Sequence, residues 1–246
     1  MAGATVGRGS AERLVLAGTM GPTIHDVHAW RLRLADGHIE IHADPERFRA
    51  MDDPTGRSLH LSCGAAIVNL RLAAAQLSHE AVVRLVPDPE HPVLLASIRL
   101  APRRPPTRTE RLLYSATMRP FPARGSRSAP PPRHIASSLA DVARLEGASL
   151  HLRPGGRAVL TTSGDSPAAW LRAGRALQSV LLAATVRGVA ASFLYEVVSV
   201  PDAHEYTAPG DVPQVLLELA ARLPVDRQDE RQRHLVRVGQ LRDATP

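Results

Sequence analysis

One polar, irregular stretch of the chain carries residue types that could hold a heterocyclic cofactor. It covers residues 21–31 and reads GPTIHDVHAWR. The hydroxyl of Thr23, the carboxylate of Asp26 and the ring of Trp30 lie close together there, and such groups can hold a flat ring and bind its polar edge. A plainer interpretation stays open, in which Pro22 shapes a turn and Trp30 only begins a strand.

A single arginine is the candidate partner for a phosphate. Arg119 lies in the segment 117–121, which reads TMRPF. Its planar guanidinium can donate two parallel charge-assisted hydrogen bonds, an arrangement that suits a phosphate. All 30 Lys and Arg residues of the chain are arginines, so one of them carries little weight alone. The lack of lysine excludes Schiff-base chemistry and a Walker-type phosphate lysine.

The sequence does not support a catalytic site of another kind or a metal site. We therefore assign no catalytic residue and no metal ligand. The sequence contains no GxSxG or SxxK motif, no dinucleotide fingerprint and no P-loop. His25 with His28, and His38 with His42, could be drawn as metal ligands, but solvated or core histidines are the plainer interpretation. Cys63 is the only cysteine, which excludes an internal disulfide, and we expect it in the core.

The charge balance does not indicate a nucleic-acid partner. The net charge is +6, but arginine is spread along the chain beside aspartate and glutamate, and aromatic residues make up only 3%. No apolar run is long enough to span a membrane, and the N-terminal residues lack the apolar core of a signal peptide. We expect a cytoplasmic protein that binds neither membrane nor nucleic acid, with a basic nucleic-acid binder as the weakest alternative.

The elements that would position the candidate residues alternate between helices and strands. Helices are predicted at 11–17, 58–77, 107–116, 134–147, 166–187 and 211–223. Strands are predicted at 30–34, 39–43, 80–86, 93–100, 148–152, 157–162 and 191–200. The Asp-Gly pair between the first two strands predicts a hairpin. Helix 58–77 is nearly all apolar and should be central and buried.

Two of these helices share a pattern of small residues. Five residues, Gly64, Ala66, Leu72, Ala73 and Ala74, recur at a constant offset as Gly174, Ala176, Leu182, Ala183 and Ala184. Each helix is followed by an apolar strand that ends in Val-Pro-Asp. Two similar helix–strand units packed around a pseudo-twofold axis would produce this internal repeat. Ala-rich helices also resemble one another by composition alone, and that alternative stays open.

Several short motifs, in a fixed order, resemble one known family. They read PTIHDVHAWR at 22–31, DPTGR at 53–57, SCGAA at 62–66, NLRLA at 69–73, RPF at 119–121, GD at 164–165 and WLRAGRALQ at 170–178. The family patterns are PSxHNxQPWR, DPxGR, SCGAAL-NLRLA, RRTxRRPF and GD-WLRAGxALQ. In order and combination the chain is similar to the Acg-type group of NAD(P)H nitroreductases.

This resemblance implies an α+β, nitroreductase-like fold in which one chain holds two pseudo-symmetric helix–sheet units and imitates the usual dimer. The first unit would cover 1–121 and a shortened second unit 134–223. A Pro/Arg/Ser linker at 122–133 would join them, and 224–246 would be a charged flexible tail. FMN would lie between the units, with NAD(P)H as reductant and a small-molecule electron acceptor. The chain would be a monomeric pseudo-dimer or a homodimer.

The resemblance also implies which residues meet the cofactor. Thr23, His25, Asp26 and Trp30 would lie near the flavin or its ribityl chain, and Arg119 would face the phosphate. The flavin would carry the hydride chemistry, while the protein would supply binding and orientation.

The chain departs from the family at places that matter for the cofactor. Asp26 stands where the family has asparagine, the paired arginines before Thr117 are missing, and a segment between about Leu152 and Val159 is absent. Each lost arginine–phosphate hydrogen bond would weaken FMN binding by about 1.5–3 kcal/mol. The predicted function is an FMN-dependent NAD(P)H oxidoreductase of the nitroreductase type. The alternative is a catalytically inactive flavin-binding or sequestration protein derived from that family.

Overall fold

The computed structural model describes residues 8–22, 28–35, 37–48, 53–102, 105–119, 128–194 and 207–222. Its first half contains α1 (Arg8–Thr19), β1 (Trp30–Ala35), β2 (His38–Ala43), α2 (Arg57–Gln76), β3 (His79–Leu85), β4 (Leu94–Pro102) and α3 (Arg108–Thr117). Its second half contains β5 (Ser128–Ala129), α4 (Arg133–Leu145), β6 (Ser149–Leu152), β7 (Arg157–Ser163), α5 (Pro167–Val186), β8 (Val189–Leu194) and β9 (Asp211–Arg222). The fold is therefore mixed α+β, as the sequence predicts.

The two sheets have the same strand order. The first runs β1-β2-β4-β3 and the second β6-β7-β9-β8, and every neighbouring pair is antiparallel. In each half a helix precedes two strands, and a 20-residue helix, α2 or α5, precedes the next two. The order α-β-β-α-β-β thus occurs twice along the chain. The internal repeat is therefore a repeat of structure as well as of sequence.

The two halves meet where α2 and α5 cross at glycines. A Cβ atom on Gly174 would lie 1.9 Å from the carbonyl oxygen of Leu61, and one on Gly64 would lie 2.3 Å from the carbonyl oxygen of Leu171. No side chain fits at either position, so the helix backbones are in direct contact. Gly64 and Gly174 hold equivalent positions in the repeat, as do Leu61 and Leu171, so the contact is reciprocal, as across a twofold axis.

Each crossing helix also contributes a leucine to the core of the other half. Leu61 of α2 packs into the second core beside Leu160. Leu171 of α5 packs into the first core beside Ile41, and all four side chains are fully buried. Burying a leucine completely contributes about 2 kcal/mol. The exchange therefore makes the stability of each core depend on the crossing.

Local sequence signals set the ends of several elements. Gly37 has a φ of 69°, which the tight turn between β1 and β2 requires. At the start of α3, the Thr107 hydroxyl accepts a hydrogen bond from the Glu110 N–H at 3.1 Å, and the Glu110 carboxylate accepts one from the Thr107 N–H at 2.7 Å. Ser166 caps α5 by accepting from the Ala169 N–H at 3.2 Å.

The helix predicted at 211–223 is wrong, because these residues form strand β9. β9 lies between β7 and β8 and pairs with both. Its alternate residues Val215, Leu217 and Leu219 are buried in the second core, a period of two. The content of leucine, alanine and glutamate is typical of a helix, but pairing and burial between two strands override that propensity. Pro213, which cannot donate to a ladder, lies where the pairing with β7 is irregular.

The predicted linker at 122–133 is not a free segment at its C-terminal end. Ser128 and Ala129 pair with β9, Pro131 is buried, and α4 begins at Arg133. This end belongs to the second unit because the last residues of β9 extend past β7 and offer backbone partners. Residues 122–127 and the predicted tail at 224–246 lie outside the described residues.

Helix α2 is the central buried helix that the sequence predicts. The prediction that no apolar run is long enough to span a membrane is wrong for α2, which within the described residues is the one helix long and apolar enough to cross a membrane, by length and composition. Of its most apolar stretch, however, 89% is buried inside the protein. The apolar character of α2 is therefore accounted for by packing against both halves.

Candidate functional site

The five residues predicted to bind flavin are only partly described. Thr23, His25 and Asp26 lie outside the described residues. Within the described part of the chain, no hydrogen bond, ion pair or ring contact joins Trp30 to Arg119. The common role of this set stays a prediction.

Trp30 is a core residue of the first half. It is the first residue of β1, its exposed fraction is 5%, and it packs in the same cluster as Ile39 and Ile41. The ring of His28 contacts it edge-on, with ring centroids 4.9 Å apart. A flavin stacked on the Trp30 face would need that face to be accessible, and the ring is buried in this structure.

Arg119 lies just beyond the C-terminus of α3 and is exposed. Its backbone N–H donates to the Ala116 carbonyl at 3.2 Å, which fixes where the side chain starts. The guanidinium has no hydrogen-bond or ion-pair partner within the described residues. The predicted phosphate contact requires an exposed side chain of this kind.

A cleft of about 600 Å³ opens between the two halves at the C-terminal ends of α2 and α5. Its walls come from α2, α3, β3, α4 and α5. Val68, Leu72 and Leu182 form its buried floor, and neither Trp30 nor Arg119 lines it. This volume lies in the range of small-molecule sites. The structure thus has a cleft between the halves, as the resemblance implies, but with other residues along it.

A buried carboxylate links the halves beside this cleft. Glu146, at the C-terminus of α4, accepts hydrogen bonds from Arg71 of α2 at 2.8 and 2.9 Å. Its Oε2 also accepts from Nε of Arg175 in α5 at 2.8 Å, and from Nη2 of the same side chain. The Ser179 hydroxyl donates to Oε1 at 3.3 Å. Two guanidinium groups share one carboxylate, so the cluster carries a net positive charge.

The protonation state of Glu146 follows from these partners. Burial alone would raise the pKa of its carboxyl, but the charges and hydrogen bonds of Arg71 and Arg175 outweigh burial and hold the pKa below its ordinary value. Glu146 is therefore ionised near neutral pH. Sequence reasoning missed this cluster. An arginine within an otherwise apolar helix, as at Arg71, is the signal that a buried counter-ion exists.

The DPTGR motif has a structural role at the opposite end of α2. The buried Asp53 carboxylate accepts a hydrogen bond from the Leu59 N–H at 2.9 Å and so satisfies the first turn of the helix. Arg57 reaches across to β9 and donates to the carbonyls of Pro213 and Gln214, at 2.9 and 3.1 Å. It also donates to the side-chain oxygen of Gln214 at 2.9 Å. The motif therefore ties the two halves together.

His60 and Trp170, which are equivalent in the repeat, meet across the pseudo-twofold axis. Their ring centroids are 5.5 Å apart in an edge-on arrangement. Nδ1 of His60 is 2.6 Å from the Gly56 carbonyl oxygen. Burial lowers the pKa of His60 more than this bond and the nearby Asp53 raise it, so the ring is neutral at pH 7. In the described part of the chain, no group of three His, Cys, Asp or Glu side chains could hold a metal ion.

Comparison with known proteins gives matches to part of the chain. No protein-family model matches it. A Mycobacterium tuberculosis protein named "Putative NAD(P)H nitroreductase" (strain H37Rv) is 37% identical over 81 residues, which are 33% of this chain and 24% of that protein. "Putative NAD(P)H nitroreductase acg" of the same organism is 33% identical over 81 residues, with the same shares. An "Uncharacterized protein" of that organism is 30% identical over 95 residues, 37% of this chain and 28% of that protein.

The match thus spans about a quarter of the length of the curated relatives. It agrees with the resemblance that the ordered motifs indicate and with a shortened version of the relatives. Over this segment, the chain is similar to proteins that are named as NAD(P)H nitroreductases, acg among them.

Proposed function

We propose that the protein is an FMN-dependent NAD(P)H oxidoreductase of the nitroreductase type. The observation that carries the proposal is the reciprocal crossing of α2 and α5 at Gly64 and Gly174. This crossing arranges two halves of one chain as the subunits of a symmetric dimer are arranged, which is what the family resemblance implies. The names of the relatives support the same reaction type. Because they are matched over a quarter of their length, the activity is our inference.

Two described residues bear on whether FMN fits. The exposed guanidinium of Arg119 can serve the phosphate, whereas the buried ring of Trp30 is closed to stacking. Thr23, His25 and Asp26 are the remaining proposed contacts. When bound, FMN would supply hydride transfer between NAD(P)H and a small-molecule electron acceptor. The part of this chain in that scheme is to bind and orient the cofactor.

The first experiment is an absorption spectrum after saturation with FMN and desalting. We expect a flavin band that NAD(P)H bleaches. The Arg119→Ala variant should raise the dissociation constant for FMN roughly ten- to hundredfold, because one charge-assisted contact is lost. Arg108→Ala is the matched control, since Arg108 is an exposed arginine at the other end of α3. No flavin band, together with no FMN binding by calorimetry, would remove the proposal.

A catalytically inactive flavin-binding or sequestration protein is the second candidate. The observation that favours it is the helix before Arg119, where the family has paired arginines and α3 has Ser115 and the buried Ala116. Flavin that binds in equal molar amount but is not reduced by NAD(P)H would select this candidate. Steady turnover of a nitroaromatic or a quinone would reject it.

The remaining expectations concern partners and location. We propose a cytoplasmic protein that binds a small-molecule acceptor and neither nucleic acid nor membrane. Because one chain holds both halves of the pseudo-dimer, a monomer satisfies the proposal, and a homodimer is the other arrangement that the resemblance allows. Light scattering on the purified chain distinguishes the two masses.

A further inference from the structure

The cleft between the halves combines an apolar trough with a polar corner, and the described residues among the proposed flavin contacts, Trp30 and Arg119, do not line it. The buried floor is formed by Val68, Leu72 and Leu182. The rim carries exposed apolar side chains, with 47% of Leu112 and 84% of Leu145 accessible to solvent. Apolar surface that is left open in a concave site indicates a ligand with an apolar body.

Arg71 forms the polar corner, and part of its donor capacity is unused. Both of its hydrogen bonds to Glu146 come from one nitrogen, Nη1. Its Nε and Nη2 have no hydrogen-bond partner within the described residues, and 39% of the side chain is exposed in the cleft. The N–H groups of Nε and Nη2 point to the same side of a guanidinium and form a fork for a carboxylate. The bond to Glu146 holds this fork in place.

The cleft is lined by two arginines, Arg71 and Arg187, and by three glutamates, Glu80, Glu110 and Glu146, so an anion would be held by the fork of Arg71 and not by a net positive lining. Glu146 is shared by Arg71 and Arg175, so it neutralises only one of the two cations. Glu110, which also lines the cleft, already accepts hydrogen bonds from the Thr107 N–H and hydroxyl at the start of α3. Arg187, on the rim, donates to the Ala183 carbonyl at 3.0 Å and to another side chain.

We propose that this cleft is a binding site for an amphipathic carboxylic acid of the fatty-acid type. Its carboxylate would accept two hydrogen bonds, from Nε and Nη2 of Arg71. Its hydrocarbon chain would lie on Val68, Leu72 and Leu182. Among the described residues the site shares none with the proposed flavin contacts, because neither Trp30 nor Arg119 lines the cleft. The inference does not depend on the proposed function.

Calorimetric titration of the full chain with decanoate tests the site, with decanol as an uncharged probe of equal length. Decanoate should bind with a stoichiometry of one, and decanol should bind at least about tenfold more weakly. Arg71→Gln should lower the affinity for decanoate by a similar factor. Its fold should persist because Glu146 keeps Arg175 and Ser179. Equal binding of decanol, or unchanged binding by Arg71→Gln, overturns the proposal, as does no binding of decanoate.

A pair of surface variants locates the apolar body of the ligand. Leu145→Glu places a negative charge on the rim and should weaken decanoate, whereas Val15→Glu, at an exposed apolar residue of α1 outside the cleft, should not. Equal effects of the two variants would contradict the assignment.

Titration with FMN separates this site from the flavin site. Decanoate and FMN should bind to the protein at the same time. Arg119→Ala should lower the affinity for FMN, and Arg71→Gln should leave it unchanged. If FMN displaces decanoate and Arg71→Gln abolishes FMN binding, the cleft is the flavin site. The carboxylate proposal then fails while the proposed function stands.

Discussion

Filling the crossing between α2 and α5 should loosen both halves at once. A Cβ on Gly174 would be 1.9 Å from the Leu61 carbonyl oxygen, so the helices must separate by about 1 Å or more. Overpacking of this kind destabilises by about 1–3 kcal/mol, and the shift would also loosen Leu61 and Leu171 in their exchanged positions. Alanine gains about 1 kcal/mol of helix propensity over glycine. Loosening of the leucines adds up to about 2 kcal/mol to the overpacking cost, and the propensity gain offsets about 1 kcal/mol, so we expect Gly174→Ala to lower the free energy of unfolding by about 2–4 kcal/mol.

Urea denaturation monitored by circular dichroism measures this change. Gly9→Ala in α1 is the matched control, because a Cβ there meets nothing within 4 Å, and it should be neutral or stabilise the fold by up to about 1 kcal/mol through helix propensity. The double variant Gly64→Ala, Gly174→Ala should lose less free energy of unfolding than the two single variants lose together. The first substitution already separates the helices, so the second meets less resistance. If Gly174→Ala is as stable as Gly9→Ala, the direct backbone contact is refuted.

Two further predictions concern buried groups. Because the folded-state pKa of Glu146 is lowered, its ion pairs stabilise the fold above the ordinary glutamate pKa of about 4.3, and this stabilisation is lost as the pH falls below it. Glu146→Gln should therefore be about 3–5 kcal/mol less stable than wild type at pH 7, and this difference should shrink as the pH falls through the lowered folded-state pKa in denaturation at a series of pH values; a constant difference would contradict this. Burial raises the pKa of the Cys63 thiol far above its usual range, so Ellman's reagent should leave the native protein untouched and titrate one thiol in denaturant; rapid reaction of the folded chain would show Cys63 to be accessible.

The helices and strands that carry strong local signals are predictable from the sequence. The hairpin around Gly37 and the caps at Thr107 and Ser166 follow from residues within one turn of each other. Strand β9 was predicted as a helix, because its leucine and alanine content is ambiguous and its two partner strands are remote in the chain. The failure lies where tertiary pairing decides the outcome.

In the candidate site, too, features set by local sequence are predictable and those set by tertiary contacts are not. The motifs identify the relatives, and the repeat of Gly64 as Gly174 indicates a symmetric contact before any coordinates are known. The carboxylate that joins Arg71 to Arg175 was not predicted, because Glu146 lies at a helix end about 75 residues from Arg71 and has no motif around it. Side chains that meet only through tertiary packing leave little trace in local sequence.

Housing both partners of a twofold contact in one polypeptide changes how that contact responds to dilution and to mutation. Covalent linkage keeps the local concentration of one half around the other constant, so the pair stays associated at any protein concentration. In a homodimer a single substitution changes both subunits, whereas in this chain a substitution in one half leaves the other half unchanged. Arg57 and Pro167, the first residues of α2 and α5, already differ. Of these two, Arg57 donates a hydrogen bond to the sheet of the other half. The symmetric scaffold can therefore support two unequal faces.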